Sequence, residues 1–396
     1  MEDGQRPRAG ERARSDPVRR CGVGSTPPRA GPGPGPGVAP RPPRRRPHAA
    51  RDSLTVRVAI LGYYGSGNLG DEAVLWAMLE HLREASGDLE ACVVSADPTR
   101  TEAVHGVPAV RRTDAFAVRR RFRACDVVCS GGGSLFQDVT SWRTPLFYAW
   151  LHELAAGRPL VVYAQGVGPL RRPLSRWVTR RAMDRAARVT VRDPESAETL
   201  QQLGVRNPPE VVCDPTLGLV PDRVVAGGQA LVACVRAWPG AWQEAVARAV
   251  GDVARERGLA VHVLCMHPEL DAPVSVEVAR ALGAEVLFPR RPQEALDALQ
   301  EARAVVGMRL HALALAATAG VPFVGLSYDP KVRSLARALD QPYLDLSGLR
   351  SELLGQAVRH VLDDASAAER LRRKVQPLRG LAREPARIAV ELGRSA

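Results

Sequence analysis

The residues best suited to chemistry lie in two neighbouring stretches towards the C-terminal end of the sequence. In residues 308–311 (MRLH), Arg309 and His311 follow an apolar, strand-like run and precede a run of Ala and Leu typical of a helix. The free N–H groups and dipole of a helix start favour an anion, and an arginine fork binds phosphate or carboxylate. These features predict a site for a small phosphate-bearing anion that also includes Lys331, at the end of residues 325–331 (GLSYDPK).

Lysine usage is an independent indication. Of 55 basic residues, only Lys331 and Lys374 are lysine, and the other 53 are arginine. Arginine does not lose its proton in proteins, whereas a partly buried lysine serves as an acid, a base or a compact point charge. The pattern therefore singles out Lys331 for proton transfer. Chance retention is the alternative, because Lys374 is predicted to be a surface residue.

A glycine-rich segment, residues 62–73 (GYYGSGNLGDEA), follows the first strand-like run and contains the pattern G-x-G-x-x-G. In a dinucleotide site the following helix start would bind a pyrophosphate. Here Asp71 and Glu72 occupy that position, and their charges would oppose a pyrophosphate. We therefore disfavour a dinucleotide site. Asn68 and Asp71 suit either capping of a tight turn or recognition of sugar hydroxyls.

A second glycine cluster lies in residues 130–138 (SGGGSLFQD), again between a strand-like run and a helix. Its three consecutive glycines are Gly131, Gly132 and Gly133. Glycines let backbone N–H groups approach a ligand closely, although a tight strand-to-helix turn would use them equally well. Asp138 at the end of this segment, and Arg143 just beyond it, add a carboxylate and a guanidinium near the same strand end.

Short apolar runs alternate with amphipathic helical stretches from residue 56 onward. The predicted strands are residues 56–61, 92–96, 125–130, 160–165, 188–192 and 210–213 in the first half, and 230–236, 260–266, 284–288, 303–308 and 322–328 in the second. Continuously apolar strands separated by helices indicate a parallel sheet covered on both faces. We predict an α/β protein with two doubly wound, Rossmann-like domains that face a cleft.

The predicted boundaries follow composition. Pro, Asp and paired Gly interrupt the pattern between residues 220 and 229. The predicted domains are residues 53–222 and residues 228–350, followed by C-terminal helices over residues 351–396. A basic run in those last helices is predicted to be a solvated helix surface, and contact with anionic lipid headgroups is the minority interpretation.

Residues 1–52 hold much of the positive charge. They contain twelve arginines and five acidic residues, a net charge of +7 of the total of +12, so that the remainder carries only +5. Rich in Arg, Pro and Gly and poor in apolar residues, the segment is predicted to be disordered. It lacks the apolar run of a signal peptide. The charge therefore does not argue for a nucleic-acid partner of the folded part.

The rest of the composition restricts the class of protein. Hydrophobic residues make up 45% and charged residues 25% of the chain, which is typical of globular proteins. No apolar run reaches the ~18 residues of a membrane span. The seven cysteines form no C-x-x-C pair, which indicates reduced thiols. We expect a soluble, cytoplasmic protein, at most peripheral at the inner face of the membrane, and no metal-ligand cluster is visible.

Several ordered motifs make the chain resemble the polysaccharide pyruvyl transferase family, most closely its CsaB type. The resemblance covers about residues 56–346. Its motifs are GYYGSGNLGDE (62–72), SGGGSLFQDVTS (130–141), YAQGVGP (163–169), TVRD (190–193), DP (214–215), VRAW (235–238), GMRLHA (307–312) and SYDPK (327–331).

The resemblance implies a fold similar to that of GT-B glycosyltransferases and a specific reaction. Members transfer the pyruvyl skeleton of phosphoenolpyruvate to two sugar hydroxyls as a cyclic ketal, and phosphate leaves. In the CsaB type the acceptor is an N-acetylmannosamine-containing, lipid-linked precursor of a secondary cell-wall polysaccharide, and S-layer homology domains bind the finished ketal. Phosphoenolpyruvate is then a co-substrate, no cofactor is expected, and the reaction is expected to be independent of metal.

Site residues follow by the same resemblance. Arg143, Arg309, His311 and Lys331 would surround phosphoenolpyruvate, with the two arginines on its carboxylate and phosphate. Either Lys331 or His311 would donate the proton, and the other would act as base or phosphate partner. Asp71 and Asp138 would orient the acceptor hydroxyls. The further substrate-binding residues expected from these motifs are Asn68, Gly131, Gly132, Gly133, Leu310, Tyr328 and Asp329.

Two other functions fit parts of the pattern. A cleft between two Rossmann-like domains would equally serve a glycosyltransferase that uses a nucleotide sugar, because fold does not decide function. A non-catalytic scaffold for cell-wall assembly is the second alternative. Clustering of Arg, His and Lys at strand ends, rather than on an outer surface, argues against the scaffold.

Overall fold

The computed structural model describes residues 55–396 apart from residues 140, 222 and 224–226. The segment predicted to be disordered, residues 1–52, and part of the predicted linker therefore lie outside the described residues. The described residues all belong to one compact unit.

The first half of the described chain forms a seven-stranded parallel sheet. Its strands are β1 (Thr55–Leu61), β2 (Asp88–Ser95), β3 (Ala109–Arg111), β4 (Val127–Gly131), β5 (Leu160–Gln165), β6 (Arg188–Val191) and β7 (Glu210–Val211). The helices between them are α1 (Leu69–Ser86), α2 (Pro98–His105), α3 (Ala115–Ala124), α4 (Arg143–Leu154), α5 (Pro173–Arg185) and α6 (Pro194–Gln202). The spatial order is β3-β2-β1-β4-β5-β6-β7, which is a doubly wound arrangement.

The second half repeats the plan with a six-stranded parallel sheet in the order β10-β9-β8-β11-β12-β13. Its strands are β8 (Ala230–Cys234), β9 (Ala260–Leu264), β10 (Glu285–Leu287), β11 (Ala302–Gly307), β12 (Phe323–Ser327) and β13 (Tyr343–Asp345). Its helices are α7 (Gln243–Arg257), α8 (Pro268–Leu282), α9 (Pro292–Gln300), α10 (Leu310–Ala319), α11 (Pro330–Ala338) and α12 (Ser351–Asp363), and α13 (Ala367–Arg394) follows. The prediction of two doubly wound domains is confirmed.

Side chains of the central strands alternate between two apolar layers. In β1, Val58 and Ile60 pack against α1 and α13, whereas Ala59 and Leu61 pack against α3, α4 and α5. The C-terminal helix α13 therefore returns to cover the first sheet, while α12 packs against α7 of the second. Because α13 also contacts α10 of the second domain, it links the two domains.

The two domains meet where both sheets present the carboxyl ends of their strands. Backbone N–H of Leu69, at the start of α1, donates to the carbonyl oxygen of Met266, which follows β9, at 2.9 Å. The first residues of α1 also pack against α9 and α10. Ligands of doubly wound proteins bind at this edge, so the fold directs attention to the residues around α1 and α10.

Among the described helices, none combines the length and the apolar character needed to cross a membrane.

Candidate active site

A cavity of 460 Å³ lies between the carboxyl edges of the two sheets. The first domain contributes Asn68, Asp71, Gly133 and Arg192 to its wall, and the second contributes Arg236, Arg309, His311 and Lys331. Leu310 and Tyr328 also line it. Most of the predicted site residues are thus brought together in one place.

Arg309 precedes α10 as its N-cap residue, so the prediction of a helix start at this motif is confirmed. Its Nε donates to Oδ2 of Asp271 at 2.7 Å, and Nη2 lies 2.5 Å from the same oxygen. Asp271 is fully buried. Because the buried Asp271 contacts two nitrogens of the guanidinium, the Arg309 side chain is fixed at the wall of the cavity. It lies there beside the free N–H groups of the helix start.

His311 contacts residues of the first domain with both sides of its ring. Its Nε2 lies 3.3 Å from Oδ2 of Asp214. On the other side, a Cβ atom added to Gly70 would come within 2.5 Å of Nδ1. Glycine at position 70 thus lets the imidazole lie flat against the start of α1. Gly70 and His311 both line the cavity, and Nδ1 of His311 packs against Gly70.

Asp214 is a buried carboxylate with its other oxygen already engaged. Oδ1 accepts hydrogen bonds from Oγ1 of Thr216 at 2.6 Å and from its backbone N–H at 3.0 Å. Burial alone would raise the pKa of Asp214, but the nearby charges of His311 and Arg192 outweigh burial and hold it well below its usual range. Asp214 is therefore a fixed negative charge beneath His311.

Arg192 joins this cluster although the sequence analysis named it only within a motif. It follows β6 directly, is 9% exposed, and donates from Nη2 to Oγ of Ser134 at 3.0 Å. Its Nη1 lies 3.7 Å from Asp214, and its Nε donates to Asp193 at 3.3 Å. Its position directly after a strand, at the carboxyl edge of the sheet, is the feature by which the sequence could have identified Arg192 as a site residue.

Arg236 is a second cation of the site that the sequence analysis did not single out. It lies two residues beyond β8 and donates from Nη1 to the hydroxyl of Tyr328 at 2.7 Å. Its guanidinium stacks on the Tyr328 ring at 4.7 Å and on the Trp238 ring at 5.4 Å. Nε of Arg236 is buried and has no hydrogen-bond partner among the described residues.

Lys331 lies in the first turn of α11, where Asp329 caps the helix by accepting from the Lys331 backbone N–H at 3.0 Å. Its Nζ is 4.0 Å from Asp329 Oδ2, which is a loose ion pair. Burial lowers the pKa of Lys331, and the nearby charge of Arg192 lowers it further. Asp329 thus positions Lys331, and the ammonium group lines the cavity.

Asp71 brings a carboxyl group to the opposite wall. Burial raises its pKa to about 6, and the neighbouring Glu72 adds to this, whereas the nearby cations His311, Arg309 and Arg192 oppose it. Nδ2 of Asn68 donates to Asp71 Oδ2. A carboxyl group with a pKa of about 6 exchanges protons near neutral pH, which is a property of general bases and acids.

The three glycines of residues 131–133 have two different roles, close packing of α1 and lining of the cavity. Gly133 lines the cavity, and a Cβ there would come within 2.5 Å of Asp71 Oδ1. At Gly131 and Gly132, a Cβ would instead meet Met78 and Val74 of α1. These two glycines therefore let α1 pack closely against the loop, and only the third faces the cavity.

Five predicted site residues lie outside the set that lines the cavity: Gly131, Gly132, Asp138, Arg143 and Asp329. Asp138 accepts hydrogen bonds from the backbone N–H groups of Arg171 and Arg172 at 2.8–3.0 Å, so its carboxylate fixes the loop before α5. Arg143 is exposed at the start of α4, where its guanidinium stacks on Trp142 at 5.6 Å. The neighbours Ser141 and Thr144 do line the cavity.

Within the described residues, no group of three or more His, Cys, Asp or Glu side chains is arranged to hold a metal ion.

Solved structures with a similar fold include proteins determined in complex with UDP or UDP-glucose. Anabaena HepE in complex with UDP-glucose superposes with a TM-score of 0.58 at 13% identity, over 85% of this chain and 98% of that one. Staphylococcus aureus MnaA with UDP gives 0.61 at 14% identity, over 83% and 94%. The UDP-GlcNAc 2-epimerase of Methanocaldococcus jannaschii gives 0.56 at 12% identity, over 79% and 94%. At such low identity the likeness concerns the fold alone.

No curated protein matches the sequence. The family model of polysaccharide pyruvyl transferases matches residues 68–330, which is well over half of the chain and includes the residues described above as lining the cavity, apart from Lys331 one position beyond. This chain belongs to the polysaccharide pyruvyl transferase family.

Proposed function

We propose that this protein transfers the pyruvyl group of phosphoenolpyruvate to two hydroxyls of a sugar as a cyclic ketal, with release of phosphate. The family match supports a pyruvyl transferase. The observation that carries the choice of donor is the concentration of Arg192, Arg236, Arg309 and Lys331 around one cavity of 460 Å³. A small donor with both a carboxylate and a phosphate requires several cations within a short distance.

The neighbours of each cation suggest which group of the donor it binds. Arg309 and Arg192 are already paired with buried carboxylates and therefore offer rigid hydrogen-bond donors with little residual charge. Arg236 donates to a phenol, and Lys331 has only a loose ion pair. We assign the phosphate to Lys331 and the start of α10, where the N–H groups of Leu310 and His311 add donors, and the carboxylate to Arg236.

Proton transfer is assigned to two groups on opposite walls. His311, which contacts Asp214 through Nε2, lines the cavity and would protonate C3 of the donor. Asp71, with a pKa of about 6, would accept a proton from an acceptor hydroxyl. Asp214 acts through His311 and is a positioning residue. Lys331 would stabilise the charge that develops on the departing phosphate.

The reaction then balances as follows. C3 gains a proton and becomes a methyl group, C2 forms bonds to two sugar oxygens, and the bond from C2 to the phosphate oxygen breaks. Of the two hydroxyl protons released, one replaces the proton delivered to C3 and the other leaves with the phosphate.

The acceptor is assigned by resemblance to the CsaB type. We propose a lipid-linked precursor of a secondary cell-wall polysaccharide, with N-acetylmannosamine as the sugar that receives the ketal. Asn68 and Asp71 on the first-domain wall are the groups offered to its hydroxyls. Arg143, exposed beside Trp142 near the cavity, is offered to a more distant part of the same acceptor.

A glycosyltransferase that uses a nucleotide sugar is the second candidate, because structural neighbours were solved with UDP or UDP-glucose. One pair of titrations distinguishes the two functions. In calorimetric titrations of the full chain without acceptor, phosphoenolpyruvate should bind and UDP-glucose should not. Phosphorus NMR should then show free phosphate only when a sugar acceptor is added. Binding of UDP-glucose without binding of phosphoenolpyruvate would contradict the proposal, and binding of neither would favour a scaffold.

A further inference from the structure

We infer that the outer surface of α3, α4 and α5, together with the arginines that precede α3 and α5, binds an anionic membrane surface. We name this surface the α3–α5 face; it comprises residues 111–124, 143–158 and 171–185. These helices cover one side of the first sheet, opposite the side covered by α1 and α13. The role of this face in meeting a lipid-linked acceptor rests on the proposed function, whereas binding of this face to lipid is tested without the reaction.

The positive charge of the folded part is concentrated on this face. Its three segments contain fourteen arginines and three acidic residues, a net charge of +11. Residues 53–396 as a whole carry only +5, so the rest of this part of the chain carries −6. The arginines of α3 and those around α5 are mostly exposed. Such one-sided charge attracts an anionic surface over a Debye length and orients the molecule towards it.

Large apolar side chains are exposed on the same face. Phe116 and Trp177 have exposed fractions of 79% and 61%, the two highest of the large apolar residues described. Leu174 is 48% exposed and Trp150 39%, and Trp142, which directly precedes the second segment of the face, is also 39% exposed. Apolar and aromatic residues among arginines are the combination that inserts into the interface between lipid headgroups and acyl chains.

Three of the apolar residues, Phe116, Trp142 and Leu174, lie at the cavity end of these helices. Helices of a parallel sheet run opposite to the strands, so α3, α4 and α5 begin at the carboxyl edge, where the cavity lies. Phe116 and Leu174 are each the second residue of their helix, and Trp142 is the N-cap of α4. A protein docked by these residues would hold the mouth of the cleft close to the headgroups.

This exposure favours a membrane over a nucleic acid. Arginine-rich surfaces also bind phosphodiester backbones, and Phe116 and Trp177 are able to stack on bases, but an exposed aliphatic side chain such as Leu174 adds nothing to either contact. A lipid surface uses both the charge and the apolar groups. We therefore commit to anionic lipid as the partner and treat nucleic acid as an outcome of the test.

The test is cosedimentation of the full chain with vesicles of phosphatidylglycerol and phosphatidylcholine in equal parts, and with vesicles of phosphatidylcholine alone. The chain should bind the anionic vesicles at least roughly tenfold more tightly, and rising salt should weaken this binding. The paired change Phe116→Ser and Trp177→Ser, and separately Arg119→Gln with Arg120→Gln and Arg176→Gln, should each weaken it roughly tenfold or more. Circular dichroism should confirm that both variants fold.

Two matched controls remove equivalent groups elsewhere. Leu353→Ser removes a 44% exposed apolar side chain from α12, and Arg372→Gln with Arg373→Gln removes charge from α13. Both should bind vesicles as the parent does, and because residues 1–52 are present in every variant, their charge is held constant. Equal binding to neutral vesicles, equal loss in the controls, or binding to single-stranded RNA in place of anionic vesicles would each overturn the inference.

Discussion

Nε2 of His311 lies 3.3 Å from Oδ2 of Asp214, across the boundary between the two domains. Asp214 follows the last strand of the first sheet, and His311 lies at the start of α10 in the second domain. The catalytic imidazole that we propose is therefore oriented only when both domains are in contact. This relationship makes Asp214 the most informative residue after His311 itself.

We predict that Asp214→Asn lowers kcat roughly tenfold to a hundredfold and leaves the KM for phosphoenolpyruvate nearly unchanged, because Asp214 acts on the orientation of His311 and not on the donor. Asp193→Asn is the matched control. Asp193 also caps a helix and pairs with Arg192, but we find no contact between it and His311 in the described structure. Steady-state kinetics of both variants decide the matter. Equal losses would show that Asp214 is merely structural.

Lys331→Arg should lower kcat roughly a hundredfold even though it preserves the charge. Arginine is bulkier and cannot take the place of a compact ammonium beside a departing phosphate. The control is Lys374→Arg, at the only other lysine of the sequence. Lys374 is an exposed residue of α13 that pairs with Asp340, so this change should leave kcat intact. Full activity of the Lys331 variant would remove lysine from the mechanism.

Asp71 should set the acidic limb of the pH profile. Its carboxyl group has a pKa of about 6 in the folded protein, so kcat/KM should fall as pH decreases through about 6, where the proposed base becomes protonated. Asp71→Asn should lower kcat roughly a hundredfold or more and abolish this limb. A limb that persists in the variant would assign the titration to another group.

The same residue predicts a trade-off with stability. Asp71 binds its proton more tightly in the folded than in the unfolded chain, where its ordinary pKa is 3.8. Its contribution to the free energy of unfolding is therefore complete below about pH 4 and is lost as pH rises through about 6. At pH 8, Asp71→Asn should raise the free energy of unfolding by about 1–3 kcal/mol. Chemical denaturation at pH 4 and pH 8 would measure it, and a destabilised variant at pH 8 would contradict the prediction.

Gly70→Ala should impair catalysis without unfolding the protein. The added Cβ would lie 2.5 Å from Nδ1 of His311 and must displace the ring, so kcat should fall at least roughly tenfold. Gly380→Ala, in α13 with open space around it, is the control and should only stabilise, by about 0.5–1 kcal/mol. Thermal unfolding and kinetics of both variants provide the comparison.

The sequence was sufficient to predict the central strands and the helix start at Arg309, because apolar runs and caps are local signals. It missed β3 and β13, two three-residue edge strands that depend on pairing with a neighbour. The return of α13 to the first sheet is likewise a consequence of packing between distant segments.

For the site, the sequence identified Arg309, His311 and Lys331, which line one cavity, although their chemical roles stay predictions. It passed over Arg192 and Arg236 because nothing local distinguishes an arginine directed into a cleft from one in solvent. Both lie one or two residues beyond a strand, and the rule that ligands bind at carboxyl ends would have found them. Conversely, the position of Asp138 close to the glycine cluster in the sequence does not reveal that its carboxylate accepts hydrogen bonds from the loop before α5.

The most direct test of the central claim is mass spectrometry of a lipid-mimetic acceptor that carries N-acetylmannosamine, after incubation with the full chain and phosphoenolpyruvate. The acceptor should gain the mass of one pyruvyl ketal, in step with one phosphate released, and Arg236→Gln should suppress both. An unchanged acceptor with phosphoenolpyruvate, together with gain of a hexose when UDP-glucose is supplied, would contradict the assignment and identify a glycosyltransferase.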